Sequence, residues 1–133
     1  MKILLVDDSI LFRDGMRYVL RKLDVQVDIL EAGNFPDALK EAKDNSDIDL
    51  VLLDLNMPGS EGVESVRLFN MHHPNIPVVV ISGTDKIDDI NGVMRVGAKS
   101  FISKMTSGSD MAQVLQLVLA GGAFLPTQFA VKA

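Results

Sequence analysis

A doubly wound α/β fold, with a five-stranded parallel sheet and helices on both faces, is the fold class this sequence predicts. Three observations carry it. The segments 2–6, 50–53 and 77–81 are short apolar runs without polar alternation, which suits strands covered on both faces of a parallel sheet. Between them the apolar residues fall at helical spacing. Two of the runs end in carboxylates, Asp7-Asp8 and Asp54, and in open α/β sheets the carboxyl ends of the strands form the edge where ligands bind.

The elements follow in chain order. Residues 2–6 make the first strand. Ser9 is a plausible N-cap for a helix whose Phe12, Met16, Val19, Leu20 and Leu23 share one face. Val25, Val27 and Ile29 alternate with Gln26, Asp28 and Leu30, which predicts a strand near the sheet edge. Asn34 can cap a second helix running to about Lys43, because Pro36 is tolerated in a first turn. The third strand, 50–53, leads into Asn56-Met57-Pro58-Gly59, whose Pro-Gly pair turns the chain away and leaves Asp54 near solvent. A third helix over 62–70 offers Val63, Val66 and Phe69 inward. His72 and His73, the only histidines, then fall in a return loop at the amino edge of the sheet, where a solvated surface role is expected. The strand 77–81 ends in Ser82-Gly83-Thr84. A short helix carries Ile87, Ile90, Val93 and Met94, is weakened by Gly92 and ends near Gly97. Residues 100–103 form the fifth strand, followed by Lys104, and an amphipathic helix around Met111, Val114, Leu115, Val118 and Leu119 stops at Gly121-Gly122.

Composition narrows the function. The 133 residues suit one domain, read as 1–122, with 123–133 a tail or the start of a linker to an output domain. A net charge of -5 leaves no basic surface to neutralise a duplex, so this chain alone is not expected to bind nucleic acid. With no cysteine there are neither disulfides nor thiolate metal sites, which fits a cytoplasmic protein. No apolar run approaches the ~20 residues of a membrane span, and the run at the start is too short for a signal peptide.

The strand ends together present Asp7, Asp8, Asp54, Ser82 or Thr84, and Lys104, with Ser82 and Lys104 expected at the exposed edge. Carboxylates sharing a pocket repel one another unless a cation joins them, and a hard divalent ion with oxygen ligands, Mg2+ best of all, is the natural companion. Lys104 supplies a point charge for a phosphoryl oxygen and a hydroxyl can donate to another. A carboxylate acceptor then gives an acyl phosphate.

These residues resemble a response-regulator receiver domain, from Lys2 to about Pro126. The marks are Val6-Asp7-Asp8-Ser9, Asp54-Leu55-Asn56-Met57-Pro58-Gly59, Ile81-Ser82-Gly83 and Gly97-Ala98-Lys99-Ser100-Phe101-Ile102-Ser103-Lys104. The resemblance implies a flavodoxin-like strand order, 2-1-3-4-5. It makes Asp54 the phosphoacceptor, with Asp7, Asp8, Asp54 and the Asn56 backbone carbonyl as Mg2+ ligands. Lys104 contacts the phosphoryl group, and Ser82 and Phe101 are the switch residues. Such a domain is not an enzyme in the ordinary sense: it takes a phosphoryl group from a sensor histidine kinase and assists its own phosphorylation and dephosphorylation.

Met105-Thr106 stands where many receivers have proline after the lysine, and Phe101 lacks a tyrosine hydroxyl, so an inward turn would gain burial without a hydrogen bond. With the segment 117–126, this is similar to receivers of LuxR-type regulators, which implies a homodimer on phosphorylation and DNA binding through a helix-turn-helix domain outside this chain. On the face of the fourth helix, fifth strand and fifth helix, Ile90, Met94, Met105 and Met111 are the candidate contacts. The alternatives are a stand-alone receiver acting by protein contact, or a haloacid-dehalogenase-like phosphohydrolase. The second is disfavoured because Asn56 stands where Asp-x-Asp is expected and no cap domain fits. A mononucleotide site lacks its Gly-rich loop.

Overall fold

In the computed structural model, which describes residues 1–57, 60–84 and 86–122, five strands alternate with five helices. They are β1 (Lys2–Val6), α1 (Ile10–Arg21), β2 (Asp28–Ala32), α2 (Phe35–Asp44) and β3 (Leu50–Asp54), then α3 (Val63–His72), β4 (Val78–Ser82), α4 (Ile87–Arg95), β5 (Ser100–Ser103) and α5 (Gly108–Leu119). All strand pairs are parallel, in the order β2-β1-β3-β4-β5, so the expected flavodoxin-like topology is the observed one. The turn expected at Pro58-Gly59 and the tail 123–133 lie outside the described residues.

Strand alternation sorts the core into two layers. Leu4, Val6, Val51, Leu53, Val78, Val80 and Phe101 point to one face, under α2, α3 and α4. Ile3, Leu5, Leu50, Leu52, Val79, Ile81 and Ile102 point to the other, under α1 and α5. The central strands β3 and β4 are buried at every residue, which is why their sequences show no polar alternation.

Three local expectations change. The second strand starts at Asp28 rather than Val25, because Asp24 Oδ1 accepts from the Gln26 N–H at 3.0 Å and Asp24 O from the Val27 N–H at 3.1 Å. That turn holds the apolar-looking 25–27 out of the sheet, and Val25 is 84% exposed. The third helix runs on to His72. Exposed His72 therefore ends a helix, while half-buried His73 packs against the Phe69 ring at 5.2 Å; burial first, then the neighbouring His72, lowers its pKa. Gly92 weakens α4 by propensity but has a packing reason: a Cβ there would lie 2.9 Å from Val63 Cγ2, so its absence lets α4 approach α3.

Ser100 is fully buried in β5 and its Oγ has no hydrogen-bond partner among the described residues. An unsatisfied buried hydroxyl carries a desolvation cost, so Ser100→Ala is expected to stabilise the domain by about 1 kcal/mol in denaturant unfolding. A loss of stability would show that the hydroxyl is satisfied.

Candidate functional site

The register brings the acids together. Val6 pairs with Leu53 and Asp54 with Ile81, so the residues just past β1 and at the end of β3 are neighbours at the carboxyl edge. By alternation Asp7, Asp54 and Lys104 project to the α1/α5 side, and Ser82 to the side occupied by Phe101 and α4.

Asp7, Asp8 and Asp54 each offer a carboxylate oxygen within 4.8 Å of the others, with Asp7 and Asp54 buried and Asp8 exposed. Lys104 Nζ lies 2.8 Å from Asp7 Oδ2 and 3.4 Å from Asp54 Oδ2. The contact with Asp7 is an ion pair, and among the described residues the buried Asp7 Oδ2 has no other polar partner. Asp7 Oδ1 accepts from the Ser9 N–H at 2.7 Å, while Ser9 Oγ caps α1 by accepting from the Phe12 N–H. Asp54 Oδ1 accepts from the Asn56 N–H at 3.1 Å. One lysine cannot neutralise three clustered carboxylates, and a buried Asp7 oxygen paired only with that lysine, beside two further acids, fits a hard divalent cation such as Mg2+. The residues present therefore fit that ion.

The Lys104 ammonium also sits over the Phe12 ring, 4.6 Å from its centroid, a cation–π contact the sequence reasoning missed. Helical spacing alone puts Phe12 on the core face, but its place in the first turn of a helix starting at the acid edge is a signal that it could face the site. Burial alone would lower the Lys104 pKa, but the contact with Asp7 and the charges of Asp54 and Asp7 outweigh it and raise it.

Two expectations of exposure are overturned. Asp54 is only 3% exposed, because it still pairs with Ile81 of β4 and the Asn56 N–H folds back over it. Ser82 is fully buried, with its Oγ accepting from Asn56 Nδ2 at 3.2 Å and from the Thr84 N–H at 3.1 Å, and 3.2 Å from Thr84 Oγ1. Of Ser82 and Lys104, only Lys104 is partly exposed. Phe101 is likewise already inside, at 0% exposure, so an inward turn is not a movement left for it in this conformation. Of the expected apolar contacts, Ile90 and Met111 are buried and Met94 packs on the core, leaving Met105 exposed.

Burial raises the Asp54 pKa, repulsion from Asp7 adds to this, and the Asn56 N–H and Lys104 oppose it. A carboxyl whose folded pKa is raised contributes most below its unfolded pKa, and that contribution is lost as pH rises through the folded value. At neutral pH Asp54 therefore destabilises the metal-free fold, and Asp54→Asn is expected to melt a few degrees higher than wild type, with a flatter stability profile above about pH 4. Equal melting temperatures at pH 7 would refute this balance.

The sequence matches the response regulator receiver domain over residues 3–116. It is 33% identical over 125 residues to a glycerol metabolism activator from Pseudomonas putida, covering 94% of this chain and 57% of that protein. It is 31% identical over 129 residues to the response regulator GacA of Pseudomonas syringae pv. syringae, covering 97% of this chain and 60% of that one. The chain thus spans little more than half the length of these relatives. Among solved structures, a LuxR family DNA-binding response regulator from Silicibacter pomeroyi superposes with a TM-score of 0.84 at 26% identity, covering 96% of this chain and 98% of that one. Among the described residues no helix is long and apolar enough to cross a membrane. Since the family match runs across almost the whole described chain, this protein belongs to the receiver domains of two-component response regulators.

Proposed function

We propose that this chain accepts a phosphoryl group on Asp54 from the phosphohistidine of a sensor histidine kinase, and that the acyl phosphate shifts the domain to a conformation with a changed output surface. The observation that carries this is the buried Asp54 carboxylate with two further acids within 4.8 Å and Lys104 on its Oδ2. In the transfer an Asp54 oxygen attacks phosphorus, the N–P bond breaks with its electron pair staying on the histidine, and an O–P bond forms. Asp7, Asp8, Asp54 and the Asn56 carbonyl are the residues that would hold Mg2+. When bound, it neutralises the acids and spreads the charge of the transferred group.

Lys104 now bridges Asp7 and Asp54, so it has only to keep Asp54 as partner to meet the incoming oxygens. Ser82, held by Asn56 and Thr84, can exchange those partners for a phosphoryl oxygen. Phosphorylation adds up to about two negative charges at this edge, and any response then passes through Ser82 to the layer that holds Phe101 and α4, as a population shift between packings. Because Phe101 is already buried, the shift consists of rearrangement around it rather than its entry. A groove of about 500 Å3 lined by Leu11, Phe12, Lys104 and Met111, next to the exposed Ile10 and Met105, suits a kinase helix presenting its phosphohistidine.

The same reading makes 1–122 the receiver and 123–133 the start of a linker to a helix-turn-helix domain. Self-association on phosphorylation would bring two such domains onto paired DNA half-sites in the cytoplasm. The lengths of the relatives support this output over a stand-alone receiver. The test is intact-mass measurement after incubation with acetyl phosphate or a phosphohistidine donor, with and without magnesium. One hydroxylamine-labile phosphoryl group that requires magnesium is expected; no incorporation refutes the proposal.

A further inference from the structure

The backbone of Asp7 is held as closely as its side chain. Its N–H donates to Ala32 O at 3.0 Å, and its carbonyl accepts from Arg13 Nη1 at 2.6 Å. Oδ1 is taken by the Ser9 N–H, so Oδ2 is the one oxygen of the residue directed to the acid cluster without a hydrogen bond. The carbonyl belongs to the peptide that joins Asp7 to Asp8, and whatever fixes that plane also fixes where the chain delivers Asp8.

Arg13 is itself anchored. Its Nε is 3.5 Å from Glu31 Oε1, and Glu31 Oε2 accepts from Arg17 Nη2 at 2.7 Å, so one β2 carboxylate braces two arginines a helical turn apart on α1. Gly33 leaves room for this: a Cβ there would stand 3.3 Å from Arg13 Nη1. A guanidinium is suited to the task, because its planar fork can serve a carbonyl and a carboxylate at fixed angles where an ammonium is only a point charge.

We infer that Arg13, braced by Glu31, is a positioning residue for the divalent-cation site: it clamps the Asp7–Asp8 peptide so that the two acids reach the ion together. The inference rests on the magnesium reading above and adds a residue that does not touch the ion. Charge and position act in opposite directions here, which makes the claim testable. Removing a nearby positive charge would by itself tighten cation binding, whereas releasing the peptide weakens it.

The experiment is calorimetric titration of the intact chain with magnesium chloride, for wild type, Arg13→Ala, Arg13→Lys and Gly33→Ala, with metal-free melting curves to confirm that each is folded at the titration temperature. Partners that orient metal ligands are typically worth 10–100-fold in affinity, so Arg13→Ala is expected to bind magnesium about 10-fold more weakly despite losing a repelling charge. Arg13→Lys keeps the charge, loses the fork and is expected to fall between Arg13→Ala and wild type. Gly33→Ala, which displaces the guanidinium by a few tenths of an ångström, is expected to weaken binding slightly. Folded Arg13→Ala and Arg13→Lys proteins that bind magnesium as tightly as wild type, or more tightly, overturn the inference alone. Wild type that binds no magnesium overturns the cation reading and this inference with it. If Arg13→Ala does not fold, the other two variants decide the matter on the same criterion.

Discussion

Asp54→Asn is expected to abolish phosphoryl incorporation while leaving a folded domain. The amide keeps the shape of the carboxylate and can still accept from the Asn56 N–H, so the local turn survives. What it loses is the nucleophile, since an amide oxygen does not form a stable acyl phosphate. Asp7 does not replace it: its Oδ1 is held by the Ser9 N–H and its Oδ2 faces Lys104. Asp8 is exposed, with no comparable shelter for the phosphoryl group. Together with the higher melting temperature expected of the same variant, this gives a signature that a misfolded mutant cannot imitate. Label retained at the wild-type rate would move the acceptor elsewhere.

Phe101→Ala has the largest expected effect on stability, a loss of about 3–5 kcal/mol, since a fully buried aromatic side chain is removed from a closed layer. Against a total of roughly 5–15 kcal/mol for a domain, that is enough to leave much of the protein unfolded under mild denaturant. The reason lies in register. Phe101 pairs with Val80 in the sheet and belongs to the layer that holds Phe69, Ile90 and Val93. Phe101→Leu keeps most of the apolar volume and is expected to cost far less. A Phe101→Ala variant destabilised by under about 1 kcal/mol would mean that the ring is only lightly packed.

The outline of the fold was legible because the two periodicities are clean: β3 and β4 are apolar up to their last residues, and Ser9 and Asn34 both cap the helices they precede. So was the acid constellation, because each member stands at a strand end and the strands are parallel. The missing parts share a physical cause. Val25 and Val27 have strand propensity, yet one side-chain acceptor, Asp24 Oδ1, outweighs it through a local turn. The burial of Asp54 and Ser82 depends on Asn56 folding back across both, a contact made before the Pro58-Gly59 pair that the sequence suggested would leave Asp54 near solvent. Arg13 and Phe12 reach the site from α1 through a carbonyl and a lysine. A sequence motif names the groups that do chemistry and is silent on those that hold them.

The position of the acyl phosphate can be read from the protein itself. The magnesium-dependent phosphorylated protein is reduced with borohydride, which converts a phosphorylated aspartate to homoserine, and the chain is mapped by peptide mass spectrometry. Homoserine is expected at position 54 alone, with the peptides containing Asp7 and Asp8 unchanged. Homoserine at either of those acids, or a borohydride-resistant phosphoryl group on His72, His73 or a serine, would contradict it.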